Sequence, residues 1–260
     1  AQVEHKAVRR KSDGRTLGVV GPRYTPLQNR EVFQWFAPWL EAKEASLSTA
    51  GSLRQGSRIW VLAKINRSPL EIAAGDEVSK YLLLSSGHDG SLAVRCGFCP
   101  IRVVCANTLA MAHGSDASRL IRIKHSKSVL DNLAAVRETI CIANERFEAT
   151  AEQYRRLARR SINQTDVRKY VYRVLDIKDE SKASTRIKNI AQAMIDLAET
   201  GKGNDLPSVR GSIWASFNGI TQYLAYDRGN SKEARLDSLW FGNSANMNQK
   251  ALDIALEMAA

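Results

Sequence analysis

Apolar and polar positions alternate through the first half of the chain and recur at helical spacing through the second. Between Gly18 and about Ile123, short runs rich in Val, Ile, Leu and aromatics are bounded by Gly, Ser, Pro or Asp, the pattern of strands separated by turns. Arg58–Ile65, Lys80–Ser85, Leu92–Cys96 and Ile101–Cys105 are the predicted strands. In the first of them Ile59, Val61, Ala63 and Ile65 share one face, while Arg58, Trp60, Leu62 and Lys64 share the other, because strand side chains alternate. Gly87-His88-Asp89-Gly90-Ser91 falls between two runs, and Asp-Gly supplies the positive φ that a tight hairpin turn requires. One stretch interrupts the strands: Arg30–Ala45 spaces Val32, Trp35, Phe36, Trp39 and Leu40 by helical steps and predicts a helix.

From Ser128 the period becomes helical. Val129, Leu133, Val136, Ile140, Ala143, Phe147, Ala151, Tyr154 and Leu157 step by three or four, which predicts one long helix over Ser128–Arg160. Further helices are predicted at Ser184–Glu199, Ser208–Tyr226 and Asn246–Ala259, joined by the loops GKGNDLP and DRGNSKEARLDS. The fold class expected is α+β: an antiparallel β-sheet with hairpins in the N-terminal half, one long helix packed on it, and a helical C-terminal half. Residues 1–17 read as a basic N-terminal arm, and 18–260 as a single domain, strand-rich over 18–127 and helical over 128–260.

Composition narrows the class. A chain of 260 residues that is 44% hydrophobic can bury a sizeable core, which rules out disorder as its main state. Its apolar runs, such as Tyr81–Leu84, fall far short of the roughly 18–20 residues a membrane span needs. The opening residues are polar and basic, unlike a secretory signal, and a start at Ala1 fits a chain that begins inside a longer one. Reduced thiols and a cytoplasmic location in a bacterial host cell are expected. The 38 Lys and Arg against 27 Asp and Glu give a net charge of +11, which favours polyanionic partners, nucleic acid above all.

Candidate chemistry is sparse. The sequence holds no Walker motif, no GxSxG elbow, no HExxH pair and no dinucleotide fingerprint, so no cofactor is implied. Cys96, Cys99, Cys105 and His113 could together offer four zinc ligands, but a second paired knuckle is absent, and buried strand cysteines are the preferred reading. The fourth cysteine, Cys141, stands apart in the helical half. A Cys105 nucleophile with His88 as base is another option, although no spacing requires the two to meet, and the turn reading is preferred for His88-Asp89. Basic residues offer more: Arg54, Arg58, Lys64, Arg95 and Arg102 in the strand half, then Arg122, Lys124 and Lys127 before the long helix. Trp60 shares a strand face with Arg58 and Lys64, so it is either a stacking platform between phosphate contacts or a core residue past which the charges extend. Tyr24 is a second stacking candidate.

The strings GVVGPRYTPLQN, AGSLRQGSRIWVLAKI, YLLLSSGHDGSLAVR, RVVCANTLAMA, NGITQYLAYDR and RLDSLWFGNSANMNQKALDIALEMA, in that order, resemble a family of phage- and plasmid-encoded proteins classed as domain of unknown function 932. The resemblance runs from about Gly18 to the last residue, lacks the usual aromatic-rich segment before GVVG, and has Tyr226-Asp227 where members often carry an acidic–His pair. It supplies no reaction. At the level of architecture, an early helix, a sheet of hairpins and one long helix resemble the ring-forming single-strand annealing recombinases. That resemblance implies ATP-independent binding and annealing of single-stranded DNA by a homo-oligomeric ring or filament, as a recombination protein of a phage or plasmid, with host or phage replication proteins as possible further partners. The candidate nucleic-acid contacts are then Tyr24, Arg54, Arg58, Trp60, Lys64, Arg95, Arg102, Arg122, Lys124 and Lys127. The alternatives are a nucleic-acid-modifying enzyme or hydrolase built around His88, Asp89, Cys105 and Asn107, and a phage protein that acts through another protein.

Overall fold

The computed structural model describes the backbone of residues 4–105, 121–142 and 144–260, and the side chains of these apart from 136–146. In chain order the elements are β1 (Lys6–Arg9), β2 (Thr16–Val20), α1 (Asn29–Gln34), α2 (Ala37–Glu41), β3 (Ala45–Leu53), β4 (Arg58–Ile65), β5 (Leu70–Ala73), β6 (Asp76–Gly87), β7 (Val94–Arg102), β8 (Ile121–Ile123), α3 (Val129–Ile142), α4 (Asn144–Arg159), α5 (Gln164–Val174), α6 (Thr185–Thr200), α7 (Ile213–Gln222), α8 (Lys232–Phe241) and α9 (Asn243–Met258). A π-helical segment, Tyr223–Asp227, continues α7. The fold is α+β, with antiparallel strands in the N-terminal half and helices in the C-terminal half. Two compact units emerge, one made of Ala1–Arg67, Lys80–Phe98 and Ser115–Arg146, the other of Ser68–Ser79, Cys99–Gly114 and Phe147–Ala260. The boundary between them falls inside β6 and β7, not at the change of period near residue 128.

In the first unit, β1 and β2 pair antiparallel with Lys6 opposite Val20 and Arg9 opposite Thr16, so the basic opening segment is a hairpin and not a loose arm. The main sheet runs in the order β3-β4-β6-β7-β8. Ile59, Val61 and Ala63 of β4, Leu82 and Leu84 of β6, and Val94 and Cys96 of β7 form one face with Val32, Trp35, Phe36 and Trp39 from the helical stretch and Val129 and Leu133 of α3. Burying each of the large side chains is worth about 1.5–3 kcal/mol. The Trp35 indole Nε1 donates to the Leu133 carbonyl at 2.8 Å, fixing α3 against this layer. Residues on the other sheet face, Arg58, Trp60, Leu62, Leu83 and Ser85, are buried as well, which is why these strands read as continuous apolar runs.

Several boundaries differ from expectation for identifiable reasons. The Arg30–Ala45 helix is broken into α1 and α2, because Pro38 has no N–H to return to the Gln34 carbonyl. Ala45 instead opens β3. The predicted strands at Leu92–Cys96 and Ile101–Cys105 meet in β7, which ends at Arg102. Over the predicted Ser128–Arg160 helix, the described residues Val129–Ile142 (α3) and Asn144–Arg159 (α4) are all helical. The predicted loop DRGNSKEARLDS contains the start of α8, where the Ser231 hydroxyl accepts from the Ala234 N–H at 3.2 Å and caps the helix.

The second unit is a helical assembly to which β5 and the first residues of β6 contribute Ile72 and Val78. Tyr154, Trp214 and Phe217 form its aromatic centre, with Tyr154 and Trp214 ring centroids 4.9 Å apart. α7 approaches α6 closely at Gly219, where a Cβ would stand 2.6 Å from the Ala198 backbone nitrogen.

Candidate nucleic-acid interface

In the first unit the β1–β2 hairpin turns at Asp13-Gly14, where Gly14 takes φ 72°. Arg10 leaves this hairpin and makes two contacts. Its Nε and Nη2 clasp the Asp13 carboxylate, at 2.9 and 2.5 Å, and its Nη1 donates to the Gln55 carbonyl at 3.0 Å. The Arg10 hydrogen bond is the main reason the Asp13 carboxyl is held down at about 2. Gln55 sits in the β3–β4 turn, where Arg54, Gln55 and Gly56 all have left-handed φ, 51°, 58° and 95°. Two consecutive non-glycine residues in that region are costly, about 1–2 kcal/mol each, and such strain concentrates at working sites.

Between the hairpin, this turn and the start of α1 lies a cavity of about 660 Å³. Arg9, Arg10, Lys11 and Arg30 bring four cationic side chains to its wall, with Leu17 and Ile59 as an apolar floor. Phe33, 41% exposed, follows Arg30 by three positions in α1 and so shares its helix face.

His88 also borders the cavity, and its Nε2 donates to the Asn29 Oδ1 at 2.9 Å. Beside it, the Tyr24 ring stacks on His125 at 4.6 Å, and the Tyr24 hydroxyl donates to the Gly87 carbonyl at 2.5 Å. Burial first, then the neighbouring His125, pushes the His88 imidazole below its ordinary range, against an opposing pull from Asp89. His125 is lowered by burial too, against its bonds to the Thr25 and Leu92 backbone. Burial drives the Tyr24 phenol well up. Asp89 accepts from both the N–H and the hydroxyl of Ser91, at 2.9 and 2.7 Å. Burial works to raise Asp89, but these bonds and nearby Arg58 leave it lowered. Gly90 takes φ 75°, as the hairpin turn requires.

The residues singled out from sequence scatter across the molecule. Arg54 is exposed at the strained turn, and Lys124 and Lys127 are exposed near α3. Arg95 and Arg122 are direct cross-strand partners on β7 and β8. Burial, then Arg122, then Arg58 lower the Arg95 guanidinium, so these three cations share one neighbourhood. Arg58 is buried, and its Nη2 donates to the Ser91 hydroxyl at 3.0 Å. Lys64 is half-buried, opposite Ser46 and Tyr81. Trp60 is only 9% exposed and lies against Gly51 of β3, which corrects the reading of an exposed platform: β4 and β6 are buried on both faces. Tyr24 is half-buried and already stacked on a histidine.

Arg102 is a second correction. It is fully buried in the second unit, where Nε and Nη2 chelate the Asp76 carboxylate, Nη1 donates to Asn204 Oδ1 and the Lys202 carbonyl, and Nη2 also donates to the Gly203 carbonyl. The Trp214 Nε1 donates to the same carboxylate at 2.7 Å. All five guanidinium N–H groups thus have acceptors, and none is left for a phosphate.

Cys105 is buried in the second unit, whereas His88 and Asp89 belong to the first, and its carbonyl accepts from the Tyr226 hydroxyl at 2.6 Å. Asn107 and His113 lie outside the described residues, as does the Cys141 side chain. Burial raises the Cys96 and Cys99 thiols, Cys99 up to about 12, so the thiolates that zinc needs are disfavoured. Among the described residues no group of His, Cys, Asp and Glu is arranged to hold a metal ion.

Arg9, Arg10 and Lys11 were missed by treating residues 1–17 as an arm, and Arg30 by reading the helix that it begins only for its apolar face. The signal was present: Asp13-Gly14 between KAVR and TLGVV is the same turn chemistry as Asp89-Gly90.

These features define an α+β protein whose first unit carries a basic cavity beside a strained hairpin turn. The chain belongs to the family described as Domain of unknown function (DUF932), whose model matches residues 16–240. Arg30 lies within the matched region, and Arg9, Arg10 and Lys11 precede it. No curated protein and no solved structure matches the chain.

Proposed function

We propose that this protein binds single-stranded nucleic acid without sequence preference, through the basic cavity of its first unit. The observation that carries the reading is the convergence of Arg9, Arg10, Lys11 and Arg30 on one cavity while the adjacent carboxylate, Asp13, is engaged by Arg10. Guanidinium and ammonium groups follow the phosphates, and the exposed Phe33 ring beside Arg30 stacks a base, which favours single strands over duplex. With backbones neutralised and bases outward, pairing with a second strand needs no ATP, so annealing by a homo-oligomer is the activity proposed. The test is oligonucleotide affinity as a function of salt. Wild-type protein should bind with a steep log–log slope, Arg30→Gln should lower that slope by about 0.7, and Phe33→Ala should weaken binding about tenfold with the slope unchanged. Affinity indifferent to salt overturns the proposal.

A second reading has its own observation: His88, His125, Tyr24 and Asp89 lie together at the hairpin end, with two imidazoles kept neutral near pH 7. If this group is a general acid–base site, the protein turns over a nucleic-acid substrate, and His88→Ala lowers the rate about 10²–10⁴-fold with oligonucleotide binding intact.

A further inference from the structure

The second unit contains a cavity of about 590 Å³. Its wall takes Arg186 and Ile190 from α6, Tyr223 from the π-helical segment, Arg228 just after it, and Met247 from α9. The π turn makes this grouping possible. Its closing bond runs from the Arg228 N–H to the Tyr223 carbonyl, five residues back, at 2.9 Å. In an α-helix, five residues rotate the chain roughly 140° past a full turn, which would send Tyr223 and Arg228 to different faces. π turns are rare and favour functional sites.

The electrostatics favour an anion. Burial raises the Tyr223 phenol, and both Arg228 and Arg186 are near enough to pull it back down, with Asp227 opposing them. Among the described residues neither guanidinium is ion-paired with a carboxylate. Arg228 directs Nη1 at the Met247 sulfur, at 3.2 Å, a weak acceptor that a phosphate oxygen would displace. Ile190 and Met247 are half-buried and apolar, and the Tyr223 ring adds a flat aromatic surface. A bare anion would leave these walls wet, and a fatty chain would meet two guanidiniums. The volume lies within the range of about 300–1,000 Å³ usual for small-molecule sites.

We propose that this cavity binds a phosphate-bearing aromatic ligand, the chemistry of a nucleoside monophosphate, either free or at the phosphorylated end of a strand. Arg186 and Arg228 hold the phosphate, Tyr223 packs on the base, and Ile190 and Met247 close its apolar edge. This site is separate from the basic cavity and stands without the reading given to that cavity.

Calorimetric titration of the full chain with AMP tests it, with adenosine and inorganic phosphate as the two half-ligands. AMP should saturate one site, with each half-ligand at least tenfold weaker. Arg186→Gln and Arg228→Gln should each lower AMP affinity at least tenfold, and Tyr223→Leu should weaken AMP while leaving phosphate unaffected, all with wild-type circular dichroism. Arg30→Gln, which probes the other cavity, should leave AMP affinity unchanged, so the two proposals fail separately. A 5′-phosphorylated oligonucleotide that displaces AMP, where its 5′-hydroxyl counterpart does not, identifies the strand end as the source. AMP displaced by neither identifies the free nucleotide. No AMP binding at millimolar concentration, adenosine binding as tightly as AMP, or Arg186→Gln and Arg228→Gln both binding like wild type overturns the proposal.

Discussion

A buried charge is the sharpest feature at the scale of single residues. Arg102 and Asp76 are both fully buried, and each is tolerable only because the other is there. Gly203 has φ 79°, and a Cβ there would stand 2.5 Å from a Val104 methyl, so the GKGN loop can wrap the guanidinium only with glycine at that position. Asp76→Ala is expected to destabilise the fold by about 3–5 kcal/mol, because it strands a guanidinium in the interior. The double variant Asp76→Leu with Arg102→Met should lose less than Asp76→Ala alone in urea unfolding, since it removes both charges. The two lowered histidines give a second prediction. His88 and His125 stay neutral in the folded protein at pH values where the unfolded chain, with its ordinary pKa near 6.5, has already taken up protons. Stability should therefore be flat above about pH 7 and fall as pH drops through the unfolded value, levelling only below the folded ones. Replacing both with Gln should flatten thermal stability between about pH 7 and 5.5, and an unchanged slope would show that these imidazoles are not the groups responsible.

Elements meet where side chains are smallest. Gly219 on α7 faces the backbone of Leu197 and Ala198 on α6, and a Cβ would come within 2.6–3.0 Å of backbone atoms that have no rotamer to change. Gly219→Ala should cost about 1–3 kcal/mol of overpacking in chemical unfolding, although alanine is the better helix former by about 1 kcal/mol. A stabilised variant would mean that α6 and α7 can slide apart freely. At helix starts the same logic is one of hydrogen bonding. Asn163, Ser184, Ser212 and Ser231 each accept from an N–H three residues ahead, and each begins a helix of the second unit.

Across the whole molecule, the excess of 38 basic over 27 acidic residues is not spread evenly in meaning. Arg102 supports the interior, Arg173 pairs with Glu257, and Arg9, Lys11 and Arg30 remain around a cavity. The cysteines follow burial in the same way. Cys96, Cys99 and Cys105 are all buried, and Cys96 belongs to the first unit while the other two belong to the second. Metal analysis of protein purified without chelator should find well below one zinc per chain, and these three thiols should react with a disulfide reagent only at the rate of unfolding. One zinc per chain would instead favour the ligand set of Cys96, Cys99, Cys105 and His113. No helix among the described residues is long and apolar enough to cross a membrane.

Local chemistry determined what could be read from the sequence. Alternation located β4 to the residue, helical spacing located α6 and α9 to within three residues, and Asp89-Gly90 marked the β6–β7 hairpin, because each is set by neighbours in the chain. Tertiary structure decided which side of each pattern faced water. Trp60 and Arg58 alternate correctly yet are buried, since a second buried face on the sheet is invisible to a period of two. Arg102 is an ordinary cation in sequence, and only the arrival of Asp76, Asn204 and Trp214 from 26, 102 and 112 positions away makes it structural. The basic cavity likewise joins Arg9 to Arg30 and the β3–β4 turn across tens of residues, and the second cavity joins Arg186 of α6, Tyr223 of the π turn and Met247 of α9. Charge and polarity fix the composition of a site, but convergence is a property of the folded chain, because it depends on contacts whose sequence separation carries no local signal.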